Sequence, residues 1–235
     1  MPLLKFDETN KLQKYQSNYQ GYFSYEDYFS VMDISDDEKK ERIALAKKLE
    51  KVFLLMFALY ISEDADEDEI FIEAYKNYIE EAKNFLGAKE NSAYIEQHAR
   101  KIIQNLIDVT QANLEDKENE ETDSYNNYFL SKKRAMLTAA NEANSIANYG
   151  EYVQAVKDGK NQKKWKSERD NKVRNTHRQV DRITIDIFEP FEVGDSLMMF
   201  PKDTSLGANI EEIANCRCTV EYSYIPKKDK EDIEE

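Results

Sequence analysis

Asn215-Cys216-Arg217-Cys218-Thr219-Val220-Glu221-Tyr222-Ser223-Tyr224-Ile225 holds both cysteines of the chain and then alternates. Cys218, Val220, Tyr222 and Tyr224 fall on one side; Arg217, Thr219, Glu221 and Ser223 fall on the other. That is the period-2 pattern of a half-buried strand over Cys216 to Ile225. A strand this late, in a chain otherwise patterned for helices, predicts an α+β protein: a long helical N-terminal region followed by a small C-terminal α+β domain with a short antiparallel sheet.

Working outward, residues 160–214 supply the rest of that domain. Trp165, the only tryptophan, is flanked by lysines and reads as a short strand. Asp170 to Arg178 reads as a turn or short helix. Ile183-Thr184-Ile185 and Leu197-Met198-Met199-Phe200 are further strand candidates, and Leu206 to Ala214 is a short helix. The tail, residues 226–235, is charged and expected to be disordered.

Upstream the period is helical. Ser35 and Glu38 fit a capping box, opening a helix over Asp36 to Ile61 with Ile43, Leu45, Leu49, Val52, Phe53, Met56 and Tyr60 on a wide apolar face. Six carboxylates in Glu63–Glu69 lack the mid-loop glycine and alternating ligands of a calcium loop. They suit an acidic helix N-terminus, followed by a helix to Leu86 with Phe71, Tyr75, Tyr78, Ile79, Ala82 and Phe85 inward. A third helix spans Asn91 to Leu114, with His98 beside its apolar stripe as an ordinary packed or surface histidine. A fourth spans Ser124 to Tyr149, alanine-rich and closed by Gly150, before a short helix over Glu151 to Lys157. The expected division is an aromatic-rich arm (1–32), a helical region (33–123), the compact domain (124–225) and the tail. The arm reads either as partly ordered chain or as a docking segment.

The 235 residues include 6 glycines and 4 prolines, which favours long helices and few turns. A net charge of -14 argues against a protein that simply coats nucleic acid or an anionic membrane. Two cysteines at i and i+2 make no disulfide framework, because strand Cβ atoms at that spacing lie about 6.5–7 Å apart. A reducing compartment is the simpler reading. Met1 to Asn10 has no signal pattern, and the longest apolar run, Val52 to Ile61, is about half of what a bilayer needs. No membrane partner is expected.

From about Tyr128 to Tyr224 the chain resembles the C-terminal domain of the phage Mu F-like minor head proteins, the phage head morphogenesis proteins. The ordered set that carries the resemblance is an alanine-rich helix with Asn148 and Gly150, then Trp165, Asp170, Val173-Arg174, Thr176-His177, Asp181, Pro190-Phe191, Val193-Gly194, Pro201, Ala208 and Asn215-Cys216-Arg217-Cys218. The family usually has glycine just after the Asp181 position, where this chain has Arg182. The resemblance implies a non-enzymatic virion component, associated with the portal protein and inner capsid and contributing to head assembly and to DNA packaging or ejection. It would reside in the capsid interior or at the portal vertex, and in host cytoplasm during assembly.

The residues also carry their own chemistry. His177, Cys216 and Cys218 could be three zinc ligands, with Asp181 or Asp170 as a fourth. The plainer reading is a buried cluster needing no cofactor. A nuclease or other effector delivered with the DNA, using His177, Arg174 and the cysteines, is the enzymatic alternative; it lacks an evident orienting third group. Arg174 and Arg217 are expected to pair with Asp170 or Asp181 in preference to phosphate. Residues 161–182 hold eight basic and three acidic side chains. Lys163, Lys164, Lys166, Arg169 and Lys172 could therefore touch packaged double-stranded DNA through its phosphates, with Trp165 stacking on a base; the plain alternative is a solvated face.

Overall fold

The computed structural model describes residues 24–62, 65–87, 92–114 and 128–226. Most of the aromatic arm, the whole linker at 115–123 and residues 227–235 of the tail lie outside the described residues. The elements are α1 (Tyr25–Ser30), α2 (Asp36–Ser62), α3 (Glu67–Leu86), α4 (Ser92–Leu114), α5 (Lys132–Lys157), β1 (Gln162–Lys166), α6 (Asn175–Val180), β2 (Thr184–Asp186), β3 (Phe191–Val193), β4 (Ser196–Met198), α7 (Ile210–Ile213) and β5 (Thr219–Ser223). The α+β class and the small antiparallel sheet stand as expected.

Local chemistry sets the helix starts. Ser35 and Glu38 exchange their capping bonds, the Ser35 N–H reaching Glu38 at 2.7 Å and the Glu38 N–H reaching Ser35 Oγ at 3.2 Å. Asp66 and Glu69 do the same for α3, so the acidic block works as a helix N-terminus. In α3 the fully buried stripe is Ile70, Ala74, Tyr78, Ala82 and Leu86, which keeps Tyr78 and Ala82 of the expected face. Phe71, Tyr75, Ile79 and Phe85 flank it, partly buried.

α5 is the spine. It packs against α1, α2, α3 and β5, and nearly every side chain from Arg134 to Gly150 is buried. The expected stop at Gly150 does not occur: a single helix runs through it to Lys157. Glycine inside a helix costs only about 1 kcal/mol, which packing on both sides of the spine overrides. The helix closes instead before Gly159, at φ +70°.

Packing does not divide at residue 123. Tyr25, Tyr28, Phe29 and Met32 of the expected arm share one apolar core with α2–α5, Trp165, Phe191 and Val220. Tyr25 also donates to Glu50 at 2.8 Å, so the last part of the arm is core. Among the described residues no helix is long and apolar enough to cross a membrane.

The three-stranded sheet has the order β2-β1-β5, all antiparallel, with Trp165 opposite Val220 and Lys164 opposite both Thr184 and Glu221. β3 and β4 form a separate hairpin. Its two-residue turn places Gly194 at φ +59°, the left-handed first position that a II′ turn requires. The strand expected from Cys216 begins only at Thr219. Asn215 sits at φ +54°, and α5 side chains take the carbonyls of Cys216 and Cys218, which leaves the cysteine segment out of the ladder.

Candidate functional site

The backbone around the cysteines is fixed from α5. Asn144 Nδ2 donates to Cys216 O at 3.1 Å. Asn148 Nδ2 donates to Cys218 O at 3.1 Å and to Pro201 O at 3.2 Å. The Asn215 N–H reaches Asn141 Oδ1 at 2.8 Å, and that oxygen also accepts from Lys202. The two deeper asparagines are themselves held by Arg42 of α2, which donates to Asn144, Asn148 and Glu151. A guanidinium from the first long helix thus positions the signature near the C-terminus.

α6 brings His177 to the same place. Its Nδ1 lies 3.3 Å from Cys218 Sγ and 3.5 Å from Cys216 Sγ. Its Nε2 lies 2.9 Å from Glu212 Oε2, which also accepts from Thr176 Oγ1 at 2.8 Å. The Trp165 ring stands edge-on to the imidazole, centroids 5.6 Å apart. His177, Cys216 and Cys218 are all buried, and their ligand atoms lie within 4.8 Å of one another. Neither Asp170 nor Asp181 belongs to this group.

The electrostatics follow from that geometry. Burial alone would lower the His177 pKa, but the Cys216 sulfur and Glu212 carboxylate outweigh it and bring the imidazole up to about 9. Burial opposes ionisation of Cys216. The bond from Cys218 and the His177 charge overcome this and hold its thiol well below the usual range. Cys218 goes the other way, raised by burial and by its neighbour's charge. The arrangement therefore groups two sulfurs, an imidazole and a carboxylate, with Glu212 as the third group that the sequence did not reveal. Glu212 lies on a four-residue helix 35 positions from His177, and no pattern links the two. Both sulfur-bearing residues are buried. The cavity beside them, lined by Glu168, Arg174, His177, Cys216 and Cys218, is about 10 Å³, which is water-sized.

The arginines fix loops. Arg217 is buried and holds Asp170 through two bonds, at 2.7 and 2.9 Å. Arg174 donates to Ala214 O. Asp181 accepts from Arg169 Nε and from the Ser167 N–H, both at 2.8 Å. Arg182, where the resemblance led to an expected glycine, takes the left-handed conformation at φ +66°, and its N–H reaches Trp165 O at 2.8 Å.

The lysine-rich stretch is not the open basic face expected. Lys163 is inside: its amine donates to Met199 O at 2.7 Å and sits over Phe191. It shares the buried side of β1 with Trp165, so both side chains lie in the core. Lys164 pairs with Glu221 at 2.6 Å, Lys166 with Asp33 at 2.8 Å and Arg169 with Asp181. Lys172 is exposed.

His98 is packed, as expected, but within a network the sequence did not disclose. Its Nε2 meets Glu142 at 2.8 Å and its Nδ1 meets Thr204 Oγ1 at 3.1 Å, while Tyr78 donates to the same carboxylate at 2.9 Å. A cavity of about 80 Å³ lies alongside, lined in part by His98, Asn141, Glu142 and Lys202.

No curated protein and no solved structure matches the chain. Residues 73–221 match the family model described as phage Mu protein F like protein. The match begins within α3, so it takes in helices that the ordered motif alone did not reach, and it ends within β5 beyond the cysteine segment. It covers more than half of the 235 residues. The chain belongs to the phage Mu protein F like family of phage head proteins.

Proposed function

We propose that the protein is a non-enzymatic minor head component that docks to the portal on the inner side of the assembling head and acts in head assembly and in the packaging or ejection of DNA. The observation that carries this reading, beside the family, is the closure of the signature residues on one another. Arg42, Asn144, Asn148, Asp170, His177, Glu212 and Arg217 bond to each other and to the backbone. The thiols face a cavity no larger than a water. Such a centre supports the reading of a rigid structural module. Contact with DNA through the lysines finds little support, since one is buried and two are already paired.

The test is co-sedimentation of the full chain with its phage's portal protein and with procapsids. A truncation should start at residue 24, because Tyr25, Tyr28 and Phe29 are core. Retention with the portal and loss from portal-less procapsids are expected. Free distribution in both, or DNA cleavage abolished by His177→Ala, would overturn the proposal.

A further inference from the structure

His177, Cys216 and Cys218 arrive from a helix and a loop far apart in sequence, yet their donor atoms converge as a coordination shell does. In a tetrahedral zinc site, Zn–N of about 2.0 Å and Zn–S of about 2.3 Å place nitrogen and sulfur about 3.5 Å apart. The two separations here are 3.3 and 3.5 Å. Both involve the same Nδ1. That atom has one lone pair or one proton, and two sulfurs share it, an arrangement that a metal satisfies better than a single hydrogen bond.

The surroundings are those of a ligand set. The far nitrogen of His177 is held by Glu212 at 2.9 Å, and Glu212 is held by Thr176; carboxylate–histidine–metal relays fix tautomer and ring orientation in this way. The Cys218 N–H points at Cys216 Sγ at 3.4 Å. The Trp165 indole N–H makes no hydrogen bond and lies near Cys218. Donors near both sulfurs favour thiolates. Behind them, Asn144 and Asn148 anchor the carbonyls of the two cysteine residues. Two thiolates would balance a divalent cation inside the core. All three residues line a cavity of about 10 Å³, room for one water as a fourth ligand.

We propose that His177 Nδ1, Cys216 Sγ and Cys218 Sγ bind one structural zinc ion, with a water in the fourth position and Glu212 as the positioning carboxylate. Binding needs both sulfurs as thiolates and Nδ1 without a proton, so it releases whatever protons these three atoms carry, and it ties α6 to the segment that enters β5. The chemistry selects zinc over magnesium or calcium, which take oxygen ligands.

The full chain, purified under reducing conditions, should carry about one zinc per chain by elemental analysis after gel filtration. Unfolding with chelator and refolding with cobalt(II) should give thiolate-to-cobalt charge transfer and the d–d absorption of a tetrahedral site. Cys216→Ser/Cys218→Ser should abolish that spectrum. Glu212→Gln, which leaves all three ligands in place, should weaken zinc affinity by about 10–100-fold. If a serine variant fails to fold, the wild-type spectrum and the Glu212→Gln affinity still decide. Folded wild type refolded with excess zinc that retains far less than one equivalent would overturn the proposal. So would a cobalt spectrum without thiolate charge transfer, one that persists in the double serine variant, or an unchanged affinity in Glu212→Gln.

Discussion

Arg42→Ala is the sharpest perturbation of the link between the first long helix and the cysteine segment. Arg42 is 1% exposed. It donates to Asn144 Oδ1, to Asn148 Oδ1 at 3.2 Å and to Glu151. Removing it leaves two buried amide oxygens without that donor, at about 1–3 kcal/mol each. Glu151 adds less, because its side chain is 28% exposed and water replaces its partner. The void left by the side chain adds to the loss, for a total of about 3–5 kcal/mol. With a urea slope of about 2–3 kcal/mol per molar, the midpoint should fall by about 1.5 M. Asn148→Ala removes the other side of the contact together with the bonds to Pro201 and Cys218. In a double-mutant cycle the two should couple by about 1–2 kcal/mol. The assay is urea unfolding followed by far-ultraviolet circular dichroism, with metal content held constant across variants. A midpoint within about 0.3 M of wild type, or strict additivity of the pair, would refute the claim that Arg42 positions the cysteine segment through the asparagines.

Three further outcomes are expected. Burial pushes the Lys202 amine down to about 8, so between that value and the ordinary 10.5 the unfolded chain binds more protons and stability rises with pH. From about pH 7.5 to 9.5 the wild type should gain about 2 kcal/mol relative to Lys202→Met; equal pH profiles in urea titrations would show that the amine is not desolvated. Above about pH 10 the buried tyrosines, Tyr78 among them and raised by burial, reverse the slope. Gly194→Ala should cost about 1–3 kcal/mol, because the added Cβ would lie 2.9 Å from Glu212 Oε1 at a left-handed φ; thermal unfolding checks it, and an unchanged melting point would deny the close approach. Arg182→Gly should stabilise by about 0.5–1 kcal/mol, since the strain at φ +66° outweighs the added freedom of the unfolded chain; a lower melting point would contradict it.

What the sequence disclosed was what is local. Ser35 with Glu38 and the acidic start of α3 act within one turn, and both are found where the pattern puts them. Gly150 misled because a helix's end there depends on what packs around it, and the spine is buried on nearly every side. Lys163 was a misreading of an available signal: in a strand, the residue two before a buried tryptophan faces inward with it, and the lysine does so. Glu212, Glu142 and Arg42 carried no signal. Each meets its partner across 35 to more than 100 residues, and neither composition nor period encodes such a meeting. The glycine expected after Asp181 is instructive in another way. The chain keeps the left-handed turn with an arginine in its place, so the turn is fixed by its bond to Trp165 O and not by residue type.

The same facts bear on what the outer surface can recognise. Phosphate binding depends on cations whose release of counterions drives association. Here Lys164, Lys166 and Arg169 already have carboxylate partners, and the chain carries -14 overall. DNA would have to displace those partners and approach against a net negative field. A protein surface has no such requirement, and Leu55 and Ile61, on the apolar last turns of α2, remain exposed. If the portal is the partner, binding should therefore weaken little when salt is raised, whereas a DNA-dependent association would fall steeply with it. Co-sedimentation at low and high salt separates the two, and a steep salt dependence abolished by nuclease treatment would return the weight to DNA.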